Sequence, residues 1–254
     1  MKFAEVEGLR REASPRLSGK CFVCDGPTIA RCGQIRVRHW AHQTGHTCDH
    51  WWEPETEWHR DWKNRFPEHW QEIIQTAADG QRHIADVKTA SGLVIEFQHS
   101  SINPNERESR ERFYRNMVWV VNGCRRAKDL SQFQASLGQP IATLPNFPTC
   151  PARPSKGALF RDWRDSRVPV YFDFGDDFPL WRLNSLIQNE RAYLSPVSRS
   201  VFVDVHLKGL PFETMCTGTI HEADAELMRF AARSGQPNGF HRYLAGTERN
   251  RRRL

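Results

Sequence analysis

Between residues 69 and 99 polar and apolar positions alternate with a period of two, the pattern of strands that bury one face. Three strands are predicted, over 69–76, 82–88 and 93–99, with Thr89-Ala90-Ser91-Gly92 as a short hairpin connection between the last two. Ahead of them, Glu55-Thr56-Glu57-Trp58-His59-Arg60-Asp61-Trp62-Lys63 reads as a helix reaching about residue 66, with Pro54 in its first turn. Behind them, Asn103-Pro104 opens a charged helix over 105–115, and residues 117–122 form an apolar strand. The predicted core is thus αβββαβ, in an α/β chain.

The flanks read differently. Residues 1–18 are charged and suit an edge strand or an arm. Residues 19–52 are rich in Cys, His and Trp but lack a long apolar period, as small metal-stapled modules do. Five prolines between Pro140 and Pro154 suggest a linker or an extended crossing. Further strands are predicted over 168–174 and 200–206, and an amphipathic helix over 221–234 with Ala223, Leu227, Phe230 and Ala231 on one face. Three parts follow: a Cys/His module over 1–52, the core over 53–135, and an α+β extension with a basic tail over 136–254. The last part carries no recognisable catalytic motif.

Composition narrows the function classes. Of 254 residues, 39% are hydrophobic, which argues against wholesale disorder. No apolar run approaches the roughly 20 residues of a membrane helix. The opening Met1-Lys2-Phe3-Ala4-Glu5-Val6-Glu7 lacks the apolar stretch of a secretion signal. A soluble, cytoplasmic protein with no membrane partner is expected. The net charge of +6, with arginines grouped at 107, 110 and 112, at 125 and 126, and at 249 and 251–253, suits a polyanion. A solvated basic tail has the same composition, so charge alone leaves nucleic-acid binding open. Seven cysteines without a secretion signal argue against disulfides.

Strand parity locates the candidate chemistry. Alternate side chains share a face, so Asp86 and Lys88 lie together on the second strand, and Glu96 and Gln98 lie together on the third. The hairpin then sets Asp86 beside Glu96. Two carboxylates so placed repel one another unless a cation stands between them, and hard oxygen ligands suit magnesium or manganese. On the preceding helix Glu55, His59 and Lys63 recur at i, i+4, i+8 and share a stripe. They offer a further metal ligand, a proton handler and a phosphate clamp. Each residue alone is as well explained by surface pairing or a strand end; the joint pattern carries the argument.

Cys21 and Cys24, then His39 and His42, have the spacing of a closed tetrahedral zinc site of structural purpose. A competing set of His46, Cys48 and His50 with Cys32 could replace part of it. Trp40, Trp51, Trp52, Trp58 and Trp62 fall among these motifs. Such residues can stack on bases, but most are expected in the core.

Helix–Glu, then Asp, then Glu-x-Gln across a hairpin resembles the PD-(D/E)XK nuclease superfamily. More narrowly, the chain is similar to the CoiA-like competence protein family. The matching text is Cys21-Phe22-Val23-Cys24, His39-Trp40-Ala41-His42, Glu55-x3-His59-x3-Lys63, Ala85-Asp86-Val87, Ile95-Glu96-Phe97-Gln98-x-Ser100 and Arg110-x3-Tyr114. It covers residues 20–122 well, and residues 160–206 more weakly through Pro169-Val170-Tyr171-Phe172-Asp173-Phe174-Gly175.

The resemblance implies a restriction-endonuclease-like core with an N-terminal zinc module, and a role in DNA handling. It implies Asp86, Glu96 and Glu55 as ligands of magnesium or manganese, with His59, Lys63 and Gln98 in the same centre. It also implies Arg107, Arg110 and Tyr114 as contacts to DNA, single- or double-stranded. The superfamily usually ends its last acidic motif in lysine; here that position is Gln98, as the narrower family commonly has it. Glutamine can orient water but cannot supply positive charge. A metal-dependent DNA nuclease is therefore expected, and a catalytically silent DNA-binding adaptor with the same fold is the alternative.

Overall fold

The computed structural model describes residues 1–43, 48–138, 150–152, 157–188 and 191–210. The chain divides into two compact units, residues 1–117 and 118–254.

The first unit opens with β1 (Phe3–Val6) and β2 (Leu9–Glu12). Val6 pairs with Leu9, leaving Glu7 and Gly8 as a two-residue turn in which both have positive φ (53° and 76°), the geometry a tight hairpin demands. Next come β3 (Ser18–Lys20), β4 (Pro27–Arg31) and β5 (His39–His42), giving an antiparallel sheet in the order β2-β1-β3-β4-β5. Its core gathers Ala4, Val6, Cys21, Val23 and Trp40, with Ile74 and Ile84 packed against it.

Helix α1 (Glu57–Lys63) begins later than the sequence predicted. Thr56 is its N-cap: the Thr56 hydroxyl accepts the His59 N–H at 3.3 Å, so Pro54 and Glu55 stay outside the helix. Helix α1 buries His59, Trp62 and Lys63. A short 3₁₀ turn (Glu68–Trp70) leads into β6 (Gln71–Thr76), followed by β7 (Arg82–Lys88) and β8 (Val94–Gln98), all antiparallel. Helix α2 (Pro104–Tyr114) follows, capped by Asn103, whose side chain accepts the Asn105 N–H at 2.9 Å.

In the second unit β9 (Met117–Asn122) pairs in parallel with β11 (Val170–Asp173). Beyond β11 come β12 (Leu180–Gln188), β13 (Arg191–Val197) and β10 (Cys150–Ala152), all antiparallel. Helices α3 (Asp129–Ser136) and α4 (Ala158–Trp163) stack Phe133 on Phe160, with ring centroids 5.5 Å apart.

Three expectations are corrected here. Part of the proline-rich stretch is a strand: β10 lies at the end of its sheet, where Pro151 is tolerated because an edge position need not donate from every nitrogen. The strand predicted over 200–206 is helix α5 (Arg199–Lys208). Ser198 caps it, and Gly209 ends it with φ of 62°. The β12–β13 hairpin was not foreseen. The helix predicted over 221–234 and the arginine-rich tail lie outside the described residues. Among those described, no helix is long and apolar enough to cross a membrane.

Candidate functional site

The β7–β8 ladder pairs Lys88 with Val94 and Val87 with Ile95. At the next step side chains take over. The Asp86 N–H donates to Glu96 Oε1 at 3.1 Å, and the Phe97 N–H donates to Asp86 Oδ2 at 2.9 Å. Each carboxylate therefore holds the opposite strand's backbone, and the two acids sit side by side. Burial, reinforced by the neighbouring Asp86, pushes the Glu96 carboxyl up to about 8, although Arg110 opposes the shift. Asp86 is raised as well, by burial, against the pull of Lys63.

Lys63 stands among the remaining acids. Its Nζ is 2.6 Å from Glu55 Oε1, 2.9 Å from Glu72 Oε1 and 4.0 Å from Asp86 Oδ1. Burial works against this ammonium, but Glu72 and Glu55 hold it above its ordinary value. Burial likewise opposes ionisation of Glu72, yet Lys63 keeps that carboxylate well below its usual range. Glu55 also accepts from Arg60, at 2.5 and 3.1 Å, and is lowered by Lys63 and Arg60 against its burial.

Glu55, His59, Lys63, Glu72, Asp86 and Glu96 all line one cleft of about 70 Å³, enough for a few waters at roughly 10–15 Å³ each. Glu72 is the member that sequence reasoning missed. It lies on β6 between Gln71, paired with Val87, and Ile73, paired with Ala85, and so faces Asp86. Its φ of 47° marks a break in the strand there. Counting registers back from the hairpin could have found it.

The other predicted site residues are placed as follows. Both His59 nitrogens are engaged, Nε2 with the Phe97 carbonyl and Nδ1 with Thr56 Oγ1 at 3.2 Å. Gln98 is not part of the cleft wall: its Nε2 donates to the Ser100 carbonyl at 3.2 Å, and its buried Oε1 has no hydrogen-bond partner among the described residues. Arg110 is turned inward, 3.3 Å from Glu96 Oε2, 2.5 Å from Glu106 Oε1 and 2.6 Å from the Trp51 carbonyl. Arg107 is buried beside Glu111, and Tyr114 sits against Trp51 and Phe113.

The segment that follows Cys48 was also missed. Asp49 accepts from His83 Nδ1 at 2.8 Å, from the Ile84 N–H at 2.9 Å and from the Trp51 N–H at 2.9 Å, while Trp51 stacks on His83 at 3.3 Å. These contacts fasten the wall residue Trp51 to β7.

The Cys/His module forms a second candidate centre. Ligand atoms of Cys21, Cys24, His42 and Cys48 all lie within 4.8 Å of one another, the one such group among the described residues. Cys21 Sγ is 3.6 Å from Cys48 Sγ, and Cys24 Sγ is 3.3 Å from His42 Nε2. Burial and the adjacent Cys21 push the Cys48 thiol well above its ordinary value, a condition that a bound cation reverses. Three sulfurs and one imidazole can hold a metal such as zinc in a closed tetrahedral set.

His39 is not in the cluster, which corrects the expected ligand set. His39 and His42 are three apart on β5, so parity sends them to opposite faces; His39 Nδ1 instead meets the Val37 carbonyl at 2.8 Å. Cys48 takes the vacant place. Of the competing set, Cys32 packs against the small core instead, and His46 lies outside the described residues.

No family model, curated protein or solved structure matches the chain.

Proposed function

We propose that the first unit is a metal-dependent DNA nuclease of the PD-(D/E)XK kind, with its reaction centre at Asp86 and Glu96. The observation that carries this reading is the reciprocal pair, in which each carboxylate bonds the other's strand on one wall of a cleft. The donor set fits a hard cation: two carboxyl groups both hold their protons more tightly than usual, as acids awaiting counter-charge do. A magnesium or manganese ion bound there would acidify a bound water and offset charge on the leaving oxygen. Lys63, 4.0 Å from Asp86, is placed to offset charge on a phosphate. Glu55 can join a second ion only if Lys63 and Arg60 release it. The motif text that resembles the CoiA-like family supports the same assignment. The Cys/His cluster, loaded with zinc, is structural in this reading.

A second reading has an observation of its own. Lys63 on Glu55 and Glu72, and Arg110 on Glu96, already balance these acids with protein cations. Gln98 stands away from the cleft. Both favour a nuclease-fold DNA-binding adaptor without chemistry. Incubation with labelled single-stranded, double-stranded and branched DNA in magnesium or manganese, beside Asp86→Ala, separates the two. The nuclease reading expects cleavage that Asp86→Ala abolishes. Undiminished cleavage by that variant moves the centre elsewhere. No cleavage of any DNA, with no divalent ion bound in calorimetry, favours the adaptor.

A further inference from the structure

The second unit contains a cavity of about 120 Å³, larger than the acidic cleft, on a scale where one water needs only about 10–15 Å³. The loop that leaves α4 supplies Arg164, Ser166 and Arg167 to its wall, and β12 supplies Arg182. Val168 and Pro169 are among its apolar neighbours. The wall thus holds three guanidiniums and one hydroxyl, and no carboxylate among the described residues.

This arrangement is built rather than draped. The Ser166 N–H bonds the Trp163 carbonyl at 3.0 Å, and Ser166 Oγ donates to the Val168 carbonyl at 3.0 Å. The Pro169 carbonyl accepts the Trp119 N–H at 2.9 Å, which ties the loop's end to β9. Arg182 comes from a strand with neighbours on both sides, between Trp181 and Leu183, both buried. A guanidinium in the middle of an otherwise apolar strand is costly to desolvate, so its position calls for a use. The nearest acid in sequence, Asp165, pairs with Arg164 at 3.6 Å, but both side chains are largely exposed. Such a pair is weak and leaves the field inside the cavity positive.

We infer that this cavity is a phosphate-binding site. Guanidinium forks match the oxygens of a tetrahedral dianion, and three of them serve more oxygens than a carboxylate offers. The phosphate belongs either to a free or small-molecule phosphate or to nucleic acid, and the site stands independently of the nuclease reading.

The test is calorimetric titration of the full chain with inorganic phosphate, at ionic strength held constant with chloride. Saturable one-site binding is expected. Arg167→Ala, at an exposed position that leaves the fold intact by circular dichroism, weakens it on the order of tenfold, and Arg167→Lys falls between. Asp86→Ala leaves it unchanged. Competition by unphosphorylated and 5′-phosphorylated oligonucleotides identifies a backbone phosphate. Competition by the phosphorylated one alone identifies a terminal phosphate, and competition by neither identifies a small ligand. Absence of saturable phosphate binding, or equal binding by wild type, Arg167→Ala and an Arg164→Ala/Arg167→Ala double variant, overturns the proposal.

Discussion

Asp86 and Glu96 are locked in a reciprocal exchange: the Asp86 N–H donates to Glu96 Oε1, and Asp86 Oδ2 accepts the N–H of Phe97, next to Glu96. The ladder of β7 and β8 is thereby continued by acids instead of by backbone carbonyls. Function and stability are drawn from the same two side chains, and their effects separate with pH.

The Glu96 carboxyl titrates near 4.5 when unfolded and at about 8 in the fold. Between those values the folded chain keeps a proton that the unfolded chain releases, so stability from this group is complete below about 4.5 and is lost as pH rises through about 8. Glu96→Gln cannot lose that proton. In chelator, its stability relative to wild type should therefore rise between pH 5 and pH 8, as roughly bounded by these two values. Urea unfolding across the range checks this; a constant difference between the two proteins would count against a raised Glu96.

Lys63 holds Glu55 and Glu72 together inside the first unit. Lys63→Ala strands two buried carboxylates and should cost about 3–5 kcal/mol. Adding Glu72→Gln should restore part of the loss, because the two changes act on one contact. Denaturation of the single and double variants measures the coupling, and simple additivity would show that the pair is not coupled.

The metal centre yields a contrast between two histidines. With Cys21, Cys24, His42 and Cys48 as ligands, purified protein should carry one zinc, Cys48→Ala should lose it, and His39→Ala should keep it. Elemental analysis decides between this set and the one that spacing alone favoured. Zinc retained by Cys48→Ala but lost by His39→Ala would restore the latter.

Gln98 should matter little to any cleavage. Its amide bonds Ser100 and does not line the cleft, so Gln98→Ala removes one neutral hydrogen bond, about 0.5–1.5 kcal/mol, and should slow turnover by no more than about tenfold. Single-turnover assays on labelled DNA measure this. A loss as large as that of Asp86→Ala would put Gln98 in the reaction centre.

What the sequence revealed and what it hid follow from period and distance. The strands around Asp86 and Glu96 were legible because a period of two and a four-residue connection leave little freedom of register. Glu72 was hidden because its place opposite Asp86 depends on a further pairing, and its own backbone breaks the strand. His39 misled because His-x2-His fits a zinc site only where the backbone is not extended; on β5 the two rings part. In α5, Val201, Val203 and Val205 alternate like a strand, yet Ser198 and Gly209 were readable as a cap and a stop. The inward turn of Arg110 could not be seen at all, since charge counts say nothing about which way a side chain faces.

Cys48 and Asp49 are consecutive, and Trp51 follows two residues later with its carbonyl on Arg110, which in turn touches Glu96. The thiol cluster and the acidic cleft are thus joined by a stretch of chain too short to absorb slack. Oxidation of those sulfurs, or metal stripped during purification, would be transmitted to Glu96 without any change in the cleft's own residues. Sample history then becomes a variable in every assay. Catalytic rates measured on this protein acquire meaning only when expressed per zinc-loaded molecule.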